Sequence, residues 1–144
     1  MKEELKQALL STKRRAAEAA KAVREHAGVP PLELVRASIR DYILNKYMLQ
    51  DQNISEDGIT ELTKISIAHV LSLDKELLVV LDRQSSGCGA SSSTVTKKIL
   101  LYLAIQKDFG ITLPPDKMAY AESLHDIADI VYGQLRNRRY PCLT

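Results

Sequence analysis

Soft metal ligands are scarce in this 144-residue chain, which has two cysteines, Cys88 and Cys142, and three histidines, His26, His69 and His125. Two thiols build neither a four-cysteine metal site nor a disulfide framework, and the histidines show no HxxxH or HExxH spacing. A metal enzyme therefore has little support, and a lone histidine such as His69 reads as structural. Long apolar runs are missing as well: nothing approaches the roughly 20 residues that cross a bilayer. The opening MKEELKQALLSTKRR lacks the apolar core of a signal peptide, so the expectation is a cytoplasmic protein with no membrane span. No GxxxxGK[ST] phosphate loop is present. Six glycines and five prolines leave few breaks, and 45% hydrophobic against 26% charged residues is ordinary for a folded domain. Nor does one sign of charge dominate. With 20 basic and 18 acidic residues the net charge is +2, and nucleic acid is not expected as a partner.

What the chain does have is helical periodicity. From Lys2 to about Ala27 there is neither Gly nor Pro, and Leu5, Leu9, Thr12, Ala16, Ala19, Val23 and Ala27 form a narrow stripe at spacings near three and four. Its alanine-rich half permits close approach of another helix, either within the chain or in a homodimer through the N-terminal helix. Gly28 and Pro30-Pro31 stop this helix. A second, about Leu32 to Leu49, puts Leu32, Val35, Ile39, Ile43 and Tyr47 on one side; its tyrosines, Tyr42 and Tyr47, read as core or rim. Ser55 is placed to cap a third helix, about Glu56 to Leu71, with Ile59, Leu62, Ile65 and Val70 inward. SLDKELLVVLDRQ reads as a short helix capped by Ser72. A helix from about Ser93 to Asp108 follows, with Val95, Ile99, Leu103 and Ile105 inward and Lys97-Lys98 outward, ending at Gly110. One helical turn after Pro114-Pro115 and a last helix capped by Ser123, with Leu124, Ile127, Ile130 and Val131 inward, complete an all-α chain.

Ahead of the fifth of these elements stands GCGASSSTVTKK, residues 87–98. Three local chemistries share this composition. A helix start lowers the pKa of a thiol such as Cys88, but no nearby Cys-His pattern supplies the base a thiol enzyme needs. Glycines followed by free amides and the hydroxyls of Ser91, Ser92, Ser93 and Thr94 can hold an anion. As a plain cap, Ser92 or Ser93 would stabilise the helix by about 1 kcal/mol.

The block LLYLAIQKDFGITLPPDKMAYAESLHDIADIVY resembles the second half of an acyl carrier protein. The resemblance is carried by Asp108-Phe109-Gly110-Ile111, by Ile111-Thr112-Leu113-Pro114 and by Ser123-Leu124-His125-Asp126. In that family a Gly-x-Asp-Ser-Leu motif opens the second helix, and Gly89-Ala90-Ser91-Ser92 falls in its place. The resemblance implies an acyl-carrier-protein-like helical bundle over residues 51–136, with an N-terminal helical extension over 1–50 and a basic tail over 137–144. It implies 4'-phosphopantetheine on Ser92, with Ser91 standing where the family has aspartate and Ser93 as the next hydroxyl. Counting back from Phe109 without a gap reaches Val95 instead, and the motif's leucine is missing. It further implies a role without catalysis, in a biosynthetic or peptide-modification pathway such as bacterial peptide maturation, served by a transferase and a partner modifying enzyme. Carriers usually present an acidic second helix to those partners, whereas Lys97, Lys98 and Lys107 outnumber Asp108 here. A helical interaction or scaffold protein without a prosthetic group is the competing class.

Overall fold

A computed structural model describes residues 3–73 and 90–139. Six helices occur among them: α1 (Glu3–Arg24), α2 (Leu32–Lys46), α3 (Ile59–Leu73), α4 (Ala90–Phe109), α5 (Pro115–Tyr120) and α6 (Leu124–Arg139). The expected all-α class holds. The short helix read into SLDKELLVVLDRQ falls outside the described residues beyond Leu73, as do Cys88 and Cys142.

Glu3 and Glu4 at the start of α1 and Lys21 and Arg24 at its end complement the helix dipole. Its buried stripe is Leu5, Thr12, Ala16, Ala20 and Val23, so Ala20 takes the place expected of Ala19, and Leu9 is left 37% exposed. This stripe packs along α2 and touches α4. The small side chains that permit close approach to a second helix are therefore used within the chain, and a homodimer through the same seam would require α1 to leave α2. The turn after α1 passes through Gly28 at φ +77°, a left-handed conformation natural to glycine.

Helix α2 is the centre of the bundle, covered by α1 on one side and α6 on another. Val35, Ile39, Tyr42 and Ile43 are fully buried. Its end is a Schellman closure: Met48 N–H bonds to the Asn45 carbonyl at 3.0 Å and Leu49 N–H to that of Leu44 at 2.7 Å. Met48 occupies the left-handed position of this closure, at φ 59°. Helix α4 closes in the same way, with Gly110 at φ 66° and Ile111 N–H on the Gln106 carbonyl at 3.1 Å.

Ser55 does not cap α3. The chain from Asp57 to Gly58 stays extended because it pairs with the start of α6: Ile59 N–H bonds to the Glu122 carbonyl at 2.9 Å and Leu124 N–H to the Asp57 carbonyl at 2.8 Å. This bridge delays α3 to Ile59. Arg40 of α2 holds the same link, donating to the Ile54 carbonyl at 2.8 Å and lying 3.7 Å from Asp57. Within α3, Ile59 and Leu62 are buried as expected, but so are Thr63 and Ser66, while Ile65 is 39% exposed. Two hydroxyls replace it inside because each finds a partner: Thr63 shares a 2.8 Å bond with Tyr47, and Ser66 donates to the Tyr47 carbonyl at 2.7 Å. Ser72 belongs to the last turn of α3 and donates to the His69 carbonyl at 2.6 Å.

Ser123 does cap α6, accepting from Asp126 N–H at 3.1 Å while Asp126 accepts from Ser123 N–H at 3.2 Å and from Glu122 N–H at 2.9 Å. Leu124, Ile127 and Val131 are buried below it. The helix continues to Arg139, through the first residues expected of a tail. One apolar cluster joins Ala16, Val23 and Ile39 of the first two helices to Leu62, Ile105 and Val131 of the later ones. The core thus runs across residue 50.

Candidate functional site

Helix α4 begins at Ala90, so Ser91 and Ser92 belong to its first turn rather than to a loop before it. Ser93 is partly buried and Thr94 is 9% exposed. The side chains of Ser91 and Ser92 lie outside the described residues, as does Cys88. Ser92 stands one helical turn before Val95 in the α4 register.

The inward face of α4 is not the expected one. Thr94, Leu101, Ile105 and Phe109 enter the core, whereas Val95 (54%), Ile99 (51%) and Leu103 (54%) are exposed, with Leu100 beside them at 60%. Of the four residues expected inside, only Ile105 is buried. Partner geometry decides the rotation. Phe109 meets the Tyr42 ring edge-on, with centroids 5.1 Å apart. The Lys98 ammonium reaches Thr60 Oγ1 of α3 at 3.1 Å, and Lys97 lies over the Tyr47 ring at 5.3 Å. Both lysines lay their stems along the bundle instead of pointing outward. Burial lowers the pKa of Lys97, and burial is likewise what pushes Tyr47 up to about 12.

The exposed stripe is one wall of a groove of about 440 Å³ whose other wall is α5. Val95, Ile99 and Leu103 face Pro115, Met118 and Ala119 across it. Tyr102 and Leu113 lie deeper, and Lys98 and Gln106 provide its polar groups. The Gln106 amide oxygen accepts from Leu113 N–H at 2.8 Å, tying the 111–114 connection to α4 and fixing the spacing of the two walls. The Tyr102 hydroxyl is buried without a hydrogen-bond partner, and burial raises its pKa. A concave apolar surface with a few polar groups is the usual form of a binding site.

The acid of α4 is engaged elsewhere. Asp108 accepts from the Tyr42 hydroxyl at 2.6 Å and lies 3.7 Å from the Lys46 ammonium, while Arg24 donates to its carbonyl at 3.0 Å. These contacts lock α1, α2 and α4 together on the side away from the groove. His69 sits in α3 as a partly buried residue. Among the described residues no group of three His, Cys, Asp or Glu is arranged to hold a metal ion, and no helix is long and apolar enough to cross a membrane.

Sequence periodicity located the groove wall Val95–Ile99–Leu103 but assigned it to the core. It missed Tyr102, Gln106 and Met118, which only the return of the chain through Pro114 brings opposite α4. The signal for Met118 was its place in the single turn after the two prolines. No family model, no curated protein and no solved structure matches this chain.

Proposed function

We propose that the chain is a non-catalytic, acyl-carrier-like binding module acting in a biosynthetic or peptide-modification pathway. The observation that carries this reading is the apolar groove between α4 and α5, which begins one turn after Ser92. A carrier needs a hydroxyl at a helix start and, next to it, a sheltered apolar surface for the chain it bears. In this reading 4'-phosphopantetheine is attached to Ser92, and Ser91 and Ser93 are its neighbours. The hydroxyl is a weak nucleophile, so a separate transferase must recognise the bundle and deliver the group.

Intact mass after coexpression with a broad-specificity phosphopantetheinyl transferase tests the carrier. A gain of one phosphopantetheine that disappears in Ser92→Ala is the expected result. No gain with several transferases overturns it in favour of the second reading, an interaction module of the same architecture without a prosthetic group. That second reading has its own support in the lysines beside the exposed stripe, since they reverse the charge that carriers usually present.

A further inference from the structure

The groove combines three features: an exposed apolar wall, a concave section, and, among the described residues, an excess of lysine over acid along its rim. Val95, Ile99 and Leu103 repeat every four residues, and the stripe runs about 12 Å at 1.5 Å per residue. That length matches two turns of an incoming helix carrying apolar residues at i, i+3 or i+4, and i+7. Leu113 and Met118, at 4% and 6% exposure, lie below the rim, where a protruding side chain reaches and a flat surface does not.

The charges select among occupants. From Ala90 to Lys107 the helix has no acidic residue. Lys98 lines the groove, Lys107 is exposed one turn beyond Leu103, and Lys117 is exposed on α5, where Asp116 is its acidic neighbour. Asp108, the acid of α4, is bound to Tyr42 and Lys46 on the far side. A second copy of this chain seated face to face would set lysine against lysine.

We infer that this groove docks an acidic amphipathic helix of a partner protein, with leucine-like anchors between Val95, Ile99, Leu103 and Met118 and carboxylates toward Lys98 and Lys107. The inference rests on the groove's being the binding surface in the reading above, but not on modification of Ser92. Failure of the mass experiment leaves it standing, and its own failure leaves the carrier open.

The test uses the full chain, shown by intact mass to carry no added group. The probes are two labelled 18-residue helical peptides with the same leucine stripe, one flanked by glutamate and one by lysine. Fluorescence anisotropy should show the glutamate peptide binding at least tenfold tighter. Ile99→Glu, at a half-exposed position, should weaken it at least tenfold with the helical circular dichroism unchanged, and Leu10→Glu, on α1, should not. Lys98→Glu with Lys107→Glu should reverse the preference toward the lysine peptide. Absence of binding, equal binding of the two peptides, or indifference to Ile99→Glu overturns the proposal. So does an Ile99-dependent dimer in sedimentation, or Ile99-dependent pelleting with phosphatidylcholine–phosphatidylglycerol vesicles in place of peptide binding.

Discussion

At the scale of single residues, the polar groups that matter are those whose partners come from another element. Tyr42 is the clearest, because its ring packs on Phe109 while its hydroxyl donates to Asp108 at 2.6 Å. Tyr42→Phe keeps the ring contact and removes the bond, so urea denaturation should show a loss of about 1–2 kcal/mol. Tyr47 titrates in a testable window. Burial raises its folded pKa from the ordinary 10.0 to about 12, so its contribution is fully present below pH 10 and is lost as pH rises toward 12. Tyrosinate absorbance and helical dichroism should therefore change together in that range, and Tyr47→Phe should move the alkaline unfolding upward. Asp126 acts with the opposite sign. The backbone N–H of Glu122 is the largest cause holding its carboxyl below 3.8, so its contribution exists above that value and disappears as pH falls through the lowered one. Asp126→Asn should be less stable than the parent at pH 7 and indistinguishable from it once the parent's carboxyl is protonated. Ser123 and Asp126 were legible as a cap because groups three and four residues apart carry the whole motif. Tyr42–Asp108 was not, because 66 residues separate its members.

At the scale of elements, ends were easier to read than faces. Gly110 stops α4 because a left-handed φ of 66° suits glycine and lets Ile111 N–H reach the Gln106 carbonyl. Gly110→Ala should cost about 1 kcal/mol through the left-handed penalty, measurable as a lowered denaturation midpoint. The face of α4 was misread for a physical reason: Val95, Ile99, Leu100, Leu101, Leu103 and Ile105 are spread round most of the helix, so spacing alone selects no side. Contacts from distant elements choose it, namely Tyr42 on Phe109, Thr60 on Lys98 and the groove wall of α5. The start of α3 shows the same limit. Ser55 with acids behind it is a sound local cap, but two backbone bonds to Glu122 and Leu124 hold Asp57 and Gly58 extended and delay the helix. What the sequence could not reveal, in both cases, was which residues of another element stand opposite.

At the scale of the whole molecule, the question is whether residues 1–50 are an appendage or part of the fold that builds the groove. The alanine stripe argues for the second. Ala16 and Ala20 are 0% and 1% exposed, so the helix surfaces meet there with no space for a larger side chain, and the same apolar cluster continues to Leu62, Ile105 and Leu135. Arg24 and Lys46 add polar ties to Asp108 at the far end of α4, while Arg36 pairs with Asp129 of α6 at 3.2 Å. Inserting a leucine at position 20 should overpack the α1–α2 contact and cost about 1–3 kcal/mol. Native-state hydrogen exchange distinguishes the two architectures. If the helices form one cooperative unit, Ala20→Leu reduces protection in the cores of α4 and α6 by the same free energy as in α2, because all of them open only by global unfolding. If residues 1–50 dock as an appendage, the loss is confined to α1 and α2 and the exchange of Ile105 and Ile127 is unchanged. The shared core predicts the uniform loss. A uniform loss would also mean that the groove between α4 and α5 keeps its shape only while α1 stays in place, linking the N-terminal helix to binding through stability rather than contact.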